Sequence, residues 1–345
     1  MKYIETKEFL EKSEFVRVVD VRSPAEFTQG HIPGAVNIPM FSNEERAIVG
    51  TNYKKEGRKT AIRRGFGFVG PKMVSFIDEA YRLCKDDKML IHCWRGGMRS
   101  ESMAWLFETA GLNCEVLKGG YKEYRKYIRE TILDEKRIIV LGGLTGSGKT
   151  ILLHEMSRMG EPVVDLEGLA NHKGSAFGGI GQKDQPTTEQ FENCLFTEVK
   201  KIRKKYFWVE DESLQIGKVF IPEEFYSAML ESITIFIDVP LQHRIDILVA
   251  DYADQDKGLL EEAIIKLKKK LGNQAAREAI DALYSGRTGE TAKILLNYYD
   301  KTYRYGLSKR RTDNVHRLDL LKEGKESFPQ LIIEEKNKIL RKILS

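Results

Sequence analysis

Short apolar runs alternate along this chain with longer segments of helical periodicity. Short stretches dense in apolar residues, many of them β-branched, predict buried strands. The predicted strands cover residues 16–21, 89–92, 137–142, 162–170, 206–212 and 233–238. The predicted helices cover residues 42–49, 59–65, 71–84, 100–111, 151–159, 188–204, 257–271, 275–285 and 288–299. This alternation is typical of an α/β protein built on parallel sheets.

The first candidate for chemistry follows the predicted strand at residues 89–92. The stretch M-L-I-H-C-W-R-G-G-M-R-S places Cys93 at the strand end, then a glycine-containing loop, then a polar helix start. Loop N–H groups and a helix N-terminus together favour a bound anion, and Arg95 and Arg99 add positive charge. In that field a cysteine is expected to act as a thiolate nucleophile rather than as a buried structural thiol. The predicted catalytic residues are Cys93, Arg95 and Arg99.

A second pattern, D-V-R-S-P-A-E-F-T-Q-G-H-I-P-G-A-V-N-I-P, occupies residues 20–39. We interpret Asp20, Arg22 and Glu26 as ion pairs that hold a strand–loop–helix junction, and His31 as a hydrogen-bonding residue that fixes the loop. With Cys93 at a strand end and a later E-V-L-K-G-G-Y-K-E-Y, the pattern resembles the rhodanese domain over roughly residues 1–130. The resemblance implies a central parallel sheet with helices on both faces.

The spacing in the cysteine loop departs from that of many rhodaneses. Arg99 is six residues after Cys93, whereas C-x-x-G-x-R places the arginine one position earlier. We expect the longer loop to form a wider cradle that suits a phosphate-sized anion. The stretch also fits H-C-x-x-x-x-x-R, the signature of cysteine-dependent phosphatases, some of which have rhodanese-like folds. Chalcogen transfer from a phosphate-bearing donor and phosphate ester hydrolysis both remain open, although hydrolysis needs a general acid that the sequence does not reveal.

A basic insertion lies near residues 43–76 and is longer than a rhodanese needs. We interpret it as a substrate surface, on which Tyr53, Phe66 and Phe68 would either stack on RNA bases or form local core. A net charge of +5 says little by itself. Its placement says more, because basic clusters beside phosphate-binding motifs favour an RNA or nucleotide partner. The clusters cover residues 54–64, 200–205, 266–270 and 309–311.

A phosphate-binding loop begins the second half of the chain. The predicted strand at 137–142 leads into G-L-T-G-S-G-K-T and then a helix, the strand–loop–helix setting that this motif requires. Its backbone N–H groups would wrap a diphosphate, Lys149 would neutralise it, and the Thr150 hydroxyl could hold Mg²⁺. We interpret residues 172–181 as a mobile or ligand-ordered glycine loop. The predicted binding residues are Gly143, Gly146, Ser147, Gly148, Lys149, Thr150, Asp165, Glu210 and Asp211, the last two as alternatives for holding a metal or its water.

These motifs together resemble the bacterial tRNA 2-selenouridine synthase family. Beyond the two loops, the resemblance rests on D-L-E-G-L-A-N-H-K-G-S-A-F-G, W-V-E-D-E-S and Y-Y-D-x-x-Y-R-Y, in that order. It implies that a wobble 2-thiouridine in tRNA is first geranylated on sulfur from geranyl diphosphate. The S-geranyl group is then replaced by selenium from selenophosphate, through an S-selanyl intermediate on Cys93. It also implies no tightly bound cofactor, no resident metal site, binding of the tRNA anticodon arm, and a selenophosphate supplier as partner.

The predicted organisation is a rhodanese-like domain at 1–133, a P-loop NTPase-like α/β domain at 134–255, and a mostly helical region at 256–345 packed on the P-loop domain. Two other classes remain open: a rhodanese-like sulfurtransferase or phosphatase fused to a P-loop kinase, and a non-catalytic tRNA- or nucleotide-binding scaffold. The lack of N-K-x-D argues against a GTPase. The sequence contains neither an apolar run of about 18 residues nor the apolar core of a signal peptide. We therefore expect no membrane span. Four cysteines without metal-ligand spacing fit a reducing cytoplasm.

Overall fold

The computed structural model describes residues 1–84, 86–252, 254–307, 312–321 and 323–344, with the backbone alone at 304–307, 312 and 343–344. The chain divides into two compact units, Met1–Thr131 and Ile132–Ser345. We call them unit 1 and unit 2 and describe each by itself. The predicted basic cluster at 309–311 lies outside the described residues.

Unit 1 contains a sheet of five short parallel strands surrounded by helices. Its strands are β1 (Lys2–Ile4), β2 (Arg17–Asp20), β3 (Val36–Asn37), β4 (Lys88–His92) and β5 (Asn113–Leu117). Its helices are α1 (Thr6–Ser13), α2 (Pro24–Gln29), α3 (Asn43–Lys55), α4 (Arg58–Val69), α5 (Met73–Leu83), α6 (Met98–Thr109) and α7 (Gly120–Thr131), with a 3₁₀ turn at Gly70–Lys72.

The strand order β1-β5-β4-β2-β3 places β4 in the middle of this sheet. Ile91 of β4 pairs with Val19 on one side and Val116 on the other, and all three side chains are fully buried. An almost entirely apolar run is expected for a strand covered on both faces. The parallel sheet predicted for this half of the chain is therefore confirmed, and its middle strand leads directly into Cys93.

The basic insertion forms a helix pair. Helix α3 begins with a capping box in which Ser42 and Glu45 satisfy each other's backbone N–H groups. Helix α4 follows after Gly57, whose φ of +89° lies in the left-handed region. Both helices are longer than predicted: α3 continues past residue 49 through the mostly polar turn at 50–55, and α4 continues past residue 65 through residues 66–69, where Val69 is buried.

Unit 2 contains a four-stranded parallel sheet and a two-stranded hairpin. The sheet strands are β6 (Arg137–Gly143), β7 (Tyr206–Glu210), β10 (Ile233–Asp238) and β11 (Val315–Asp319), and the hairpin strands are β8 (Gln215–Ile216) and β9 (Val219–Phe220). The helices are α8 (Lys149–Arg158), α9 (Leu166–Ala170), α10 (Thr188–Lys201), α11 (Glu223–Glu231), α12 (Leu241–Tyr252), α13 (Lys257–Leu271), α14 (Asn273–Tyr284), α15 (Thr288–Leu307) and α16 (Phe328–Leu344). Short 3₁₀ turns lie at Thr312–Asn314 and Lys325–Ser327.

The order of the larger sheet is β11-β10-β6-β7, and strand β6 supplies the phosphate-binding loop. Leu141 of β6 pairs with Ile235 of β10 and with Glu210 of β7. The sheet core continues into Leu153 of α8 and Ile332 of α16, both fully buried. A second apolar cluster joins α13, α14 and α15. The α/β architecture with a helical C-terminal part is confirmed.

Two predictions about strands in unit 2 were wrong. Residues 162–170 do not form a strand. Val163 makes only an isolated bridge with Trp208, after which the Asp165 side chain accepts a hydrogen bond from Gly168 N at 2.7 Å and starts α9. Strand β11 was missed within a region predicted as mostly helical. It is an edge strand with partly exposed, polar positions, so it lacks the apolar run that identified the others.

Within the described ranges, no helix is both long and apolar enough to cross a membrane.

Candidate active sites

Cys93 lies at the carboxyl end of the central strand β4, where a loop at 94–97 leads into α6. Its Sγ is 3.2 Å from Ser100 Oγ and 3.9 Å from the Gly97 carbonyl oxygen. The Ser100 hydroxyl also donates to that carbonyl at 3.0 Å. The first turn of α6 thus holds the thiol against the helix N-terminus, where a negative charge on sulfur is favoured.

At the Cys93 loop, the carbonyl groups of Cys93 and Trp94 are occupied, whereas the N–H groups of 94–97 are available. Tyr121 N donates to the Cys93 carbonyl at 2.8 Å, and Lys122 N donates to the Trp94 carbonyl at 2.9 Å. Gly96 has a φ of +63°, and a Cβ there would lie 2.6 Å from the Leu117 carbonyl oxygen. Among the described residues, the N–H groups of 94–97 have no hydrogen-bond acceptor. Such a run of donors is suited to an anion.

The two predicted arginines of this loop differ in their surroundings. Arg95 is exposed and lines the cavity described below. Arg99 forms a two-pronged pair with Glu26, with Nη1 2.8 Å from Oε2. Burial alone would raise the pKa of Glu26, but the hydrogen bond and charge of Arg99 lower it below its ordinary value. Glu26, predicted to pin a local junction, therefore also fixes the guanidinium beside Cys93.

A buried polar group supports the strand end beneath the cysteine. Asp20 and Arg22, both fully buried, form the predicted ion pair with an Nη2–Oδ2 distance of 2.6 Å. The Arg22 guanidinium lies 3.8 Å from the centre of the Tyr121 ring. Burial lowers the pKa of the adjacent His92 to about 4, so this side chain is neutral at physiological pH. His31, as predicted, is a loop-fixing residue, with Nδ1 3.0 Å from the Phe27 carbonyl.

A cavity of about 590 Å³, which we call the helix-pair cavity, opens between α3, α4 and the Cys93 loop. Tyr53 and Phe66 line it, whereas Phe68 packs against the core of unit 1. The charged residues that line it are all basic: Arg46, Lys54, Arg58, Arg95 and Arg99. Its other lining residues are mostly apolar and include Met40, Phe41, Val49, Ala61, Ile62, Val69, Trp94 and Met98.

The other three thiols lie in different surroundings. Burial raises the pKa of Cys84 and Cys194 and raises that of Cys114 to about 12. Cys84 and Cys114 both belong to the core of unit 1. These thiols are therefore protonated at neutral pH and act as small apolar side chains.

In unit 2 the phosphate-binding loop connects β6 to α8 as predicted. Gly146 and Gly148 have φ values of +79° and +75°, and a Cβ on Gly146 would lie 2.9 Å from the Arg244 carbonyl oxygen. Lys149 Nζ donates to the Gly143 carbonyl at 3.0 Å. The Thr150 hydroxyl donates to Glu167 Oε2 at 2.6 Å. The two side chains predicted to hold phosphate and metal are thus bonded to acceptors within unit 2.

The carboxylate beside Thr150 was not among the predicted binding residues. Burial raises the pKa of Glu167, against the lowering effects of Thr150 and Lys149. Burial raises the pKa of Glu212 well above its ordinary value, and the charge of Glu167 raises it further. Gly174 of the glycine loop lies against both, since a Cβ there would be 2.6 Å from Glu212 Oε1 and 2.9 Å from Glu167 Oε1. The acidic residues after each strand were visible in the sequence, but their convergence was not.

The three predicted acids have structural partners. Glu210 is fully buried and accepts from Leu166 N at 3.0 Å, and burial raises its pKa well above the ordinary value. Asp165 caps α9 and lies 2.8 Å from His154 Nε2. Asp211 accepts a hydrogen bond from the Tyr303 hydroxyl. Their roles as ligand-binding residues stay predictions, and Glu210 is the least accessible of them.

Residues of helices α12 and α15 contact the phosphate-binding loop. Arg244 Nε donates to the Thr145 carbonyl at 2.8 Å, and its guanidinium pairs with Asp300 at 2.5 Å. The Tyr303 hydroxyl accepts from Gly143 N at 3.1 Å. Tyr299 accepts from Ala176 N of the glycine loop at 3.1 Å. The Y-Y-D-x-x-Y segment of α15 therefore contacts both loops; Arg304 and Tyr305 have no described side chains.

A smaller cavity of about 70 Å³ adjoins this loop at Thr145. Burial raises the pKa of Tyr252 and of Tyr299, both in its wall, to about 12. Among the described residues that line it, the polar side chains carry hydroxyls, and none is an amide or a carboxylate that could bind the edge of a nucleotide base. The remaining lining is apolar: Phe177, Leu248, Val249, Leu260, Ile264, Leu283, Ala292 and Leu295.

The donor groups near Thr150 fit a magnesium ion in type, because Mg²⁺ prefers hydroxyl and carboxylate oxygens and keeps several waters. Burial raises the pKa of Glu167, and a bound cation would compensate the cost of a negative charge on this carboxylate. Across the described part of the chain, no group of three or more His, Cys, Asp or Glu side chains could hold a metal by itself.

Family models match both units. The tRNA 2-selenouridine synthase AAA domain matches residues 136–323, and the rhodanese-like domain matches residues 4–127. A solved rhodanese-related protein from Thermoplasma volcanium is 20% identical, with a TM-score of 0.25, over 37% of this chain and 93% of its own.

Curated relatives match most of the chain. A tRNA 2-selenouridine synthase from Nitrosomonas europaea is 38% identical over 81% of this chain and 70% of its own length. One from Nitrosomonas eutropha is 39% identical over 68% of this chain and 62% of its own length. One from Shewanella frigidimarina is 34% identical over 85% of this chain and 89% of its own length. The chain therefore belongs to the tRNA 2-selenouridine synthase family.

Proposed function

We propose that this chain is a tRNA 2-selenouridine synthase that geranylates 2-thiouridine at the phosphate-binding loop of unit 2 and exchanges the geranylthio group for selenium at Cys93 of unit 1. The observation that carries the proposal is the pairing, in one chain of this family, of a cysteine on an open N–H cradle with a diphosphate loop next to an apolar cavity. A kinase would need polar groups that recognise a nucleoside, and the described residues that line the cavity beside Thr145 offer only hydroxyls as polar side-chain groups.

In the first step, the uridine sulfur attacks the allylic carbon of geranyl diphosphate. A carbon–sulfur bond forms, the carbon–oxygen bond breaks, and its electron pair leaves with the diphosphate. Lys149 and the loop N–H groups stabilise the charge that develops on the departing oxygens. Thr150 and Glu167 would hold Mg²⁺, which would add positive charge to the diphosphate when bound. The cavity beside Thr145 is where the prenyl chain begins to be enclosed.

In the second step, the Cys93 thiolate attacks selenium of selenophosphate. A sulfur–selenium bond forms and the selenium–phosphorus bond breaks. The electron pair of the broken bond stays on phosphorus, which leaves as phosphite. Selenium then bonds to C2 of the base and geranylthiolate departs. A cellular thiol attacks Cys93 Sγ, which forms a disulfide and releases 2-selenouridine; a second thiol regenerates Cys93. Arg95, Arg99 and the N–H groups of 94–97 bind the phosphate group of the donor.

The partners follow from this chemistry. The anticodon arm of tRNA would lie on basic surfaces such as the exposed Arg63 and Arg64 of α4. Selenophosphate is reactive, so an enzyme that makes it must supply this chain. Since the substrates are tRNA and selenophosphate, we propose that the reaction takes place in the cytoplasm.

Mass spectrometry of tRNA nucleosides tests the proposal. Cells that lose the chain are expected to lose 2-selenouridine and S-geranyl-2-thiouridine and to accumulate 2-thiouridine, and the restored chain should reverse all three changes. Persistence of 2-selenouridine without the chain would contradict the proposal. Phosphorus NMR of the purified reaction tests the selenium step. One phosphite per turnover is expected, whereas phosphate alone would mean that selenium moves as selenide and not on Cys93.

A further inference from the structure

The helix-pair cavity is larger and more apolar than a donor of selenium requires. Selenophosphate is a small, highly charged anion, which the N–H groups of 94–97 and two arginines can hold by themselves. The cavity next to them has about 590 Å³ of space, within the range of sites that enclose drug-sized ligands. Its wall is formed by Phe41, Val49, Ile62 and Phe66. An apolar chain, and not a second anion, is the matching occupant.

The cysteine and the cavity are continuous. Cys93, Trp94 and Met98 line the same space as Ile62 and Phe66 of α4. A group attached to the carbon that reacts with selenium on Cys93 is therefore close enough to enter this cavity. All charged side chains of the lining are basic, so an RNA-borne ligand would find positive charge around the apolar wall.

We propose that the helix-pair cavity binds the geranyl chain of S-geranyl-2-thiouridine, and that unit 1 thereby selects the geranylated base over 2-thiouridine and over shorter S-alkyl groups. This inference rests on the proposed function and deepens it, because it assigns recognition of the leaving group to α3 and α4. Phe66, with 65% of its surface exposed, and the half-buried Ile62 are the specificity-determining residues. Both side chains would be covered when the geranyl group is bound.

The test compares two RNA substrates with the full-length chain and selenophosphate. The substrates are an anticodon stem-loop with S-geranyl-2-thiouridine and the same RNA with S-methyl-2-thiouridine. Each buried CH₂ changes an equilibrium constant roughly fourfold, so a preference for the geranyl RNA of at least about a hundredfold in kcat/KM is expected. Phe66→Asp and Ile62→Ala should each reduce this preference by about tenfold or more.

Phe15→Asp is the matched control. Phe15 is also in unit 1 and is 84% exposed, but it does not line the cavity, so this variant should retain the full preference. A readout without selenium transfer is protection of Cys93 from iodoacetamide, followed by mass spectrometry of its peptide. The S-geranyl-2-thiouridine nucleoside should slow alkylation in the unaltered chain and in Phe15→Asp, and much less in Phe66→Asp.

The outcomes separate this inference from the function on which it rests. If the unaltered chain converts neither RNA, the proposed function fails and the inference fails with it. If it converts both RNAs equally well, or if Phe66→Asp and Ile62→Ala keep the preference and the protection, the proposed function stands and the assignment of the cavity is wrong.

Discussion

The two candidate sites differ in how far the protein itself occupies their binding groups. In the Cys93 loop, the carbonyl groups of Cys93 and Trp94 are bound by α7, which leaves the N–H groups of 94–97 open. In unit 2, Lys149 is bonded to the Gly143 carbonyl and Thr150 to Glu167. The first site is preorganised for an anion, whereas the second must exchange internal contacts for ligand contacts. Ligand binding in unit 2 is therefore expected to alter the conformation of the glycine loop at 172–181. Anion binding in unit 1 is expected to leave the conformation of the Cys93 loop unchanged.

The largest expected effect breaks the first site alone. Cys93→Ala removes the nucleophile, so 2-selenouridine formation should fall by at least roughly a thousandfold while S-geranyl-2-thiouridine accumulates. Nucleoside mass spectrometry of the reaction measures both products. Cys114→Ala is the control, since that thiol is buried in the core. Equal loss of geranylation in folded Cys93→Ala protein would show that the two steps are not divided as proposed.

The complementary change breaks the second site alone. Lys149→Ala removes the charge opposite the leaving diphosphate, and geranylation of 2-thiouridine RNA should fall on the order of a hundredfold or more. Conversion of separately supplied S-geranyl RNA should continue. Lys338→Ala is a suitable control, because Lys338 lies on the surface of α16, where it pairs with Glu335, and belongs to none of the predicted basic clusters. The division would be contradicted if Lys149→Ala also stopped the conversion of supplied S-geranyl RNA.

The smallest expected effect sharpens the comparison through pH. Burial lowers the pKa of His92 to about 4, so between about pH 6.5 and 4 only the unfolded chain binds this proton. Unit 1 should lose on the order of 3 kcal/mol as pH falls through that window. In unit 2, burial raises the pKa of Glu212, so the folded unit retains a proton that the unfolded chain releases above about pH 4.3. Unit 2 should therefore lose stability as pH rises.

Hydrogen exchange followed by mass spectrometry measures these opposite slopes, on β4 peptides for unit 1 and β7 peptides for unit 2. His92→Asn should flatten the acid slope of unit 1, and Glu212→Gln should flatten the slope of unit 2, each without effect on the other unit. Parallel slopes in the two units would contradict the assignment.

Local features were predictable from the sequence and convergent ones were not. The Cys93 loop and the phosphate-binding loop each lie within about a dozen consecutive residues, so their order of strand, loop and helix could be read directly. The pairing of Arg244 with Asp300 joins residues 56 positions apart, and Glu167 reaches Thr150 from another element. The pair of Arg99 with Glu26 likewise joins residues that are 73 positions apart. Such contacts depend on the packing of helices onto the sheet, which apolar periodicity does not specify.

Strand β11 shows a related limit. Its sequence, V-H-R-L-D, has too few apolar residues to identify a strand, yet it completes the sheet because β10 offers an unpaired edge. At residues 162–170 the opposite happened: the apolar residues were present, but the Asp165 cap made a helix more favourable than continued pairing.

The protonated state of the three thiols other than Cys93 gives this chain a practical property. Cys84, Cys114 and Cys194 stay uncharged at neutral pH, while Cys93 faces a cavity wide enough for a small electrophile. A small thiol reagent is therefore expected to reach Cys93 through the cavity, while protonation slows its reaction with the other three cysteines. The native chain carries its own attachment point for spectroscopic reporters, at the place where selenium would be handled.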